Sequence, residues 1–106
     1  MTQRAAAANQ VELCGVISQL GALRHTPAGV PVAEFRLKHD SERTEAGATR
    51  KVDIEIDAIA FQAQARLVAK SALGRPLKVE GFLCARSRRS RKPVLHVTKI
   101  EFIEGD

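Results

Sequence analysis

The sequence predicts a small all-β barrel of five strands, with one short helix between the third and fourth. Three observations carry this. Apolar and polar residues alternate with period two in several short runs. One stretch alone, residues 61–73, changes to a spacing of three and four, with Phe61, Ala65, Leu67, Val68, Ala72 and Leu73 as its apolar positions. The 106 residues suffice for one domain that buries a core without disulfide help, and 44% of them are hydrophobic, which excludes wholesale disorder.

Residues 1–8 are expected to be a flexible N-terminal segment, because the run Ala5–Ala8 is too short to hold a helix alone. The domain is expected over 9–104. Its first strand runs from about Gln10 to Leu23, with a bulge or bend at Gly15. Thr26-Pro-Ala-Gly29 supplies a turn. The second strand follows Pro31 and places Ala33, Phe35 and Leu37 on one face, Glu34, Arg36 and Lys38 on the other. Residues 39–50 are polar and are expected to form a long hairpin loop. In the third strand Val52, Ile54, Ile56 and Ala58 alternate with Asp53, Glu55 and Asp57. The helix over 61–73 is ended by Gly74 and Pro76. The fourth strand covers about Leu77–Ala85. The fifth covers Pro93–Ile103, with a bulge where its alternation slips between Val97 and Ile100. Three strands, a helix and two strands is the order of an OB-fold.

Several functions are disfavoured. The chain has no phosphate-cradling glycine motif and no paired nucleophile and base, so no enzyme is expected. Two cysteines, Cys14 and Cys84, and three scattered histidines give no zinc spacing, so no metal or cofactor is expected. Both thiols are expected to be buried and free. No apolar run is long enough to span a bilayer, and nothing argues for export, so a cytoplasmic protein is expected.

Charge is the informative property. The net charge is +5. Five cations and no acid fall in one segment, Arg86, Arg88, Arg89, Arg91 and Lys92, so the rest of the chain is neutral. A localised cationic loop on a neutral body points to a polyanionic partner. In an OB order this is the loop between the fourth and fifth strands, where such folds bind oligonucleotides. Arg24 in the first connection, Arg36 and Lys38 on the second strand, and Arg50 and Lys51 before the third extend the candidate site. Asp53, Glu55 and Asp57 oppose phosphate; they either pair across strands with Arg36 and Lys38 or form a subunit interface on that face. With no Trp, no Tyr and four Phe, stacking is sparse. Phe82, out of phase with its strand's core residues, is the one aromatic placed in the site. If about five phosphates are neutralised, the log–log salt slope for a single strand is about −3.5.

The segments Asn9-Gln-Val-Glu-Leu-Cys-Gly15, Thr26-Pro-Ala-Gly-Val-Pro31, Phe35-Arg-Leu-Lys-His39, Glu45-Ala-Gly47, Val79-Glu-Gly-Phe82, Val94-Leu-His96 and Ile100-Glu-Phe-Ile103 resemble, in order, the bacterial primosomal replication protein N family, relatives of the single-strand binding proteins. The resemblance implies an OB-fold homodimer that binds single-stranded DNA. It also implies an adaptor that contacts the restart helicase and other primosome proteins to reload the replicative helicase at stalled forks. The family's basic binding positions fall on Arg24, Arg50, Arg86, Arg88, Arg89 and Arg91. Two aromatic positions of some members are Ala48 and Asp53 here. These losses keep two alternatives open: a protein-interaction module with weak or no DNA affinity, and a general single-stranded DNA or RNA binder.

Overall fold

The computed structural model describes residues 7–103. Of the expected N-terminal segment, residues 1–6 lie outside this range, as does residue 104 at the other end. The elements in chain order are β1 (Val11–Leu20), β2 (Arg24–His25), β3 (Pro31–Glu45), β4 (Ala48–Phe61), α1 (Ala63–Ala69), β5 (Pro76–Ala85) and β6 (Pro93–Phe102). The five expected strands are β1, β3, β4, β5 and β6. The short β2 is an addition inside the first connection, where Arg24 and His25 pair with Val32 and Pro31. The sheet order β1-β5-β6-β4-β3, closed by β1 pairing with β3, is a five-stranded barrel. All its pairings are antiparallel except β4 with β6. With its helix between the third and fourth long strands, this is the OB-fold predicted.

Closure depends on β1 serving two neighbours. Its first half, Val11–Val16, pairs with β5 and its second half, Val16–Leu20, with β3. The hand-over is at Gly15, where a Cβ would overlap the Lys38 carbonyl oxygen, so the residue type is set by a close backbone crossing. The irregularity expected at Gly15 lies three residues later: register shifts between Ile17 and Gln19, and the Ser18 hydroxyl donates to the Arg36 carbonyl at 3.3 Å. The bulge expected in the last strand is present. Glu80 and Gly81 face Lys99 and Val97, which leaves Thr98 as the extra residue, and its hydroxyl donates to the Glu80 carbonyl at 3.2 Å.

The interior is filled by Ile17, Phe35, Leu37, Leu77, Val79, Leu95 and Val97, with alanines where strands come close. Large faces small across β3 and β4, as with Phe35 opposite Ala58, which suits the taper of a small barrel. α1 contributes Ala65 and Val68 to this core. A seven-residue helix is not stable by itself; that burial holds it. No helix among the described residues is long and apolar enough to cross a membrane.

Four expectations are corrected. Residues 39–50 are not a loop: β3 and β4 stay in register out to Glu45 and Ala48, and only Ala46 (φ 53°) and Gly47 (φ 78°) turn the chain. Two successive positive φ values match the twist of a hairpin, so the strands continue as an arm. The helix is shorter than 61–73. Phe61 ends β4, and Leu67 and Leu73 are exposed, because only one side of the segment meets the barrel. The first strand ends at Leu20, since Gly21 turns away after donating to the Glu34 carbonyl at 2.9 Å. Cys14 and Cys84 are both exposed free thiols: each occupies the outward phase of its strand.

Candidate nucleic-acid interface

The outward faces of β3, β4, β6 and β5 form rows set by register. Arg36 lies opposite Asp57 on β4, and Glu34 opposite Ile59. Ile59 neighbours His96 on β6, and His96 lies opposite Phe82 on β5. The groove over these rows has a volume of about 530 Å³, and its lining includes Arg24, Glu34, Arg36, Asp57, Arg86 and His96.

The basic loop is ordered by its own backbone. The Arg86 N–H donates to the Lys92 carbonyl at 2.9 Å and the Ser87 N–H to the Ser90 carbonyl at 3.1 Å. The Ser90 N–H donates to Ser87 Oγ at 3.0 Å. This tight hairpin places Arg88 and Arg89 at the exposed tip and brings Arg86 and Lys92 from its base onto the sheet.

Asp57 is the hub there. Its carboxylate accepts from Arg86 at 2.6 Å and from Arg36 at 3.0 and 3.1 Å, and stands 3.4 Å from Lys92 Nζ. The Arg86 guanidinium is the main influence on its titration. Partial desolvation works against it, and Arg36 and Lys92 add to it, so the carboxyl is held down at about 2 from an ordinary 3.8. A folded-state value below the unfolded one stabilises the fold in full above the unfolded value. That stabilisation is lost as pH falls from about 4 towards 2. Glu34 pairs with Arg24 and stands 4.0 Å from Arg86, and Glu55 lies 3.6 Å from Arg36.

The eleven sequence-derived positions therefore separate into groups. Arg24, Arg36, Arg86 and Lys92 converge on the groove, each beside an acid. Arg88, Arg89 and Arg91 are exposed and make no ion pair among the described residues. Lys38 faces Glu55 and Lys51 faces Glu42 in the β3–β4 register. Arg50 pairs with Glu45 near the tip of the arm. The structure does not gather Lys38, Arg50 and Lys51 into the groove, because the expected loop is an extended arm. Asp57 and Glu55 pair with Arg36 as expected, whereas Asp53 lies opposite another acid, Asp40.

Phe82 faces outward and stacks on His96, with centroids 5.1 Å apart and planes at 16°. Phe61 stacks on the same ring at 6.2 Å and 26°. Sequence reasoning placed Phe61 at the helix start and left His96 without a role. The signal available was the OB order itself, which puts the last strand beside the third.

A closed OB barrel with cations over one outer face defines the class of single-strand binding proteins. Residues 9–99 match the family model described as "Another single-strand binding protein family". Replication restart protein PriB of Bordetella pertussis is 41% identical over 97 residues, covering 92% of this chain and 91% of that protein. PriB of Nitrosomonas europaea is 38% identical over 95 residues, covering 90% and 88%. The solved structure of priB from Ralstonia solanacearum superposes with a TM-score of 0.82 at 30% identity, over 92% of this chain and 100% of that one. The chain belongs to the PriB family of replication restart proteins.

Proposed function

We propose that this protein binds single-stranded DNA across the groove, with the 86–92 loop as its main phosphate contact. In this reading it is a cytoplasmic, homodimeric adaptor without chemistry of its own. It engages the restart helicase and other primosome proteins to reload the replicative helicase at stalled forks. The observation that carries the reading is the loop: three arginines without an ion pair among the described residues stand beside a groove lined by Arg24, Arg36 and Arg86, with Lys92 on its Asp57. The names of the PriB relatives support a restart role. The homodimer is supported by β1, whose Val11–Gly15 half pairs with β5 alone among the described residues.

Ion pairing changes the expected salt dependence. Arg86 and Lys92 share the Asp57 carboxylate, so the three arginines of the loop without an acid partner among the described residues are the ones that displace counterions most freely. The slope for oligo-dT is then about −2, shallower than the −3.5 that five free cations give. Fluorescence anisotropy with oligo-dT and an equal-length duplex, across a salt series, tests this. Preference for the single strand with a slope near −2 is expected; no binding at low salt refutes DNA binding and leaves the protein-interaction module.

Asp57→Asn follows directly. Releasing Arg86 and Lys92 for phosphate steepens the slope towards −3.5 and tightens binding by about tenfold at about 0.1 M salt. It costs about 1 kcal/mol of stability, because the partners are solvent-accessible. Unchanged or weaker affinity would show that Asp57 does not compete with phosphate.

A further inference from the structure

We propose that Phe61, His96 and Phe82 form a base-stacking platform, on which unpaired bases lie while their phosphates run to the arginines of the 86–92 loop. This rests on the single-strand DNA reading and adds a second, uncharged component to it. The three rings make one continuous stack across β4, β6 and β5. Phe61 and Phe82 remain 38% and 40% exposed, although each has a ring neighbour. Single exposed apolar residues are ordinary on a protein surface, but a contiguous group marks a contact. Half of the phenylalanines in a chain without Trp or Tyr stand in this one group.

Its position identifies the ligand. The row Glu34–Ile59–His96–Phe82 lies next to the row holding Arg36 and Asp57. Two residues along a strand is about 7 Å, so the rings start one step from the point where Arg36, Arg86 and Lys92 meet. His96 belongs to both features: it lines the cationic groove and it is the middle ring of the stack. Flat π-faces running into a cationic groove are the combination that single-strand binders use, and stacking of this kind tolerates any base.

The test compares oligo-dT with an abasic oligonucleotide of equal length, which keeps the phosphates and removes the bases. Wild-type protein is expected to prefer oligo-dT by about tenfold for each base stacked. Phe61→Leu with Phe82→Leu keeps apolar bulk at two exposed positions and removes the π-faces. This variant is expected to lose the preference, with abasic affinity and salt slope unchanged. The single variant Phe82→Leu, at the platform edge, is expected to lose part of it and serves if the double variant unfolds. A preference retained in both variants overturns the platform and leaves the DNA reading standing. Wild-type protein that binds neither oligonucleotide overturns both.

Discussion

Replacing Arg88, Arg89 and Arg91 together with alanine is expected to weaken binding to oligo-dT by about 100-fold at about 0.1 M salt. Each phosphate neutralised on a single strand contributes about 0.7 to the log–log slope, so three arginines account for about two decades at that salt. The slope should flatten from about −2 to near zero. The thermal midpoint should not move, because these three side chains hold nothing in place. The loop is closed by the backbone of Arg86 and Lys92 and by Ser87 with Ser90, all of which remain. Adding Arg86→Ala should change affinity little further, since Arg86 is committed to Asp57 and Glu34. A few-fold loss in the triple variant would mean that the groove, and not the loop, dominates binding. A full loss only after Arg86→Ala would mean that phosphate displaces Asp57.

This division of labour among the cations shows where sequence reading stopped. Period-two alternation is enough to place the barrel portions of β3, β4, β5 and β6 and to put Ala33, Phe35 and Leu37 on one face, which is the buried one, because burial writes that alternation directly. The same alternation runs through Val52 and Ile54, yet Ile54 is 44% exposed: the pattern gives a face, and says nothing of how far a strand outruns the barrel. The hairpin turn at Ala46 and Gly47 was hidden because one of its two positive-φ positions is not a glycine or asparagine. Arg36 with Asp57 was legible, being a cross-strand pair of adjacent strands. Arg86 and Lys92 on the same carboxylate were not, because the contact spans a loop that folds back over the sheet. Likewise the Phe61, His96 and Phe82 stack depends on the parallel β4–β6 pairing and on the phase set by the bulge at Thr98.

Gly81→Ala is expected to be the most destabilising single-methyl change in the chain, costing about 3 kcal/mol or more. A Cβ there would overlap the His96 carbonyl oxygen and stand 2.9 Å from the His96 carbonyl carbon and 3.1 Å from Val97 Cα. These are backbone atoms of a strand paired on both sides, with β4 through Ile59 and Ala60 and with β5 itself. β6 therefore cannot retreat from Gly81 without breaking its ladder to β4 or β5. For a domain of this size the loss corresponds to a fall in thermal midpoint of roughly 10–20 °C. Gly29→Ala is the control. Gly29 also has a special requirement, φ +87°, but nothing lies within 4 Å of its Cβ position. That substitution should cost about 1 kcal/mol of left-handed strain and no more. Thermal unfolding of the two variants separates close approach from backbone conformation as the reason for a glycine. A Gly81→Ala protein within about 1 kcal/mol of wild type would show that β5 and β6 can part locally. In that case Phe82, the next residue, would move off His96, and the loss would appear in oligo-dT preference instead of in stability.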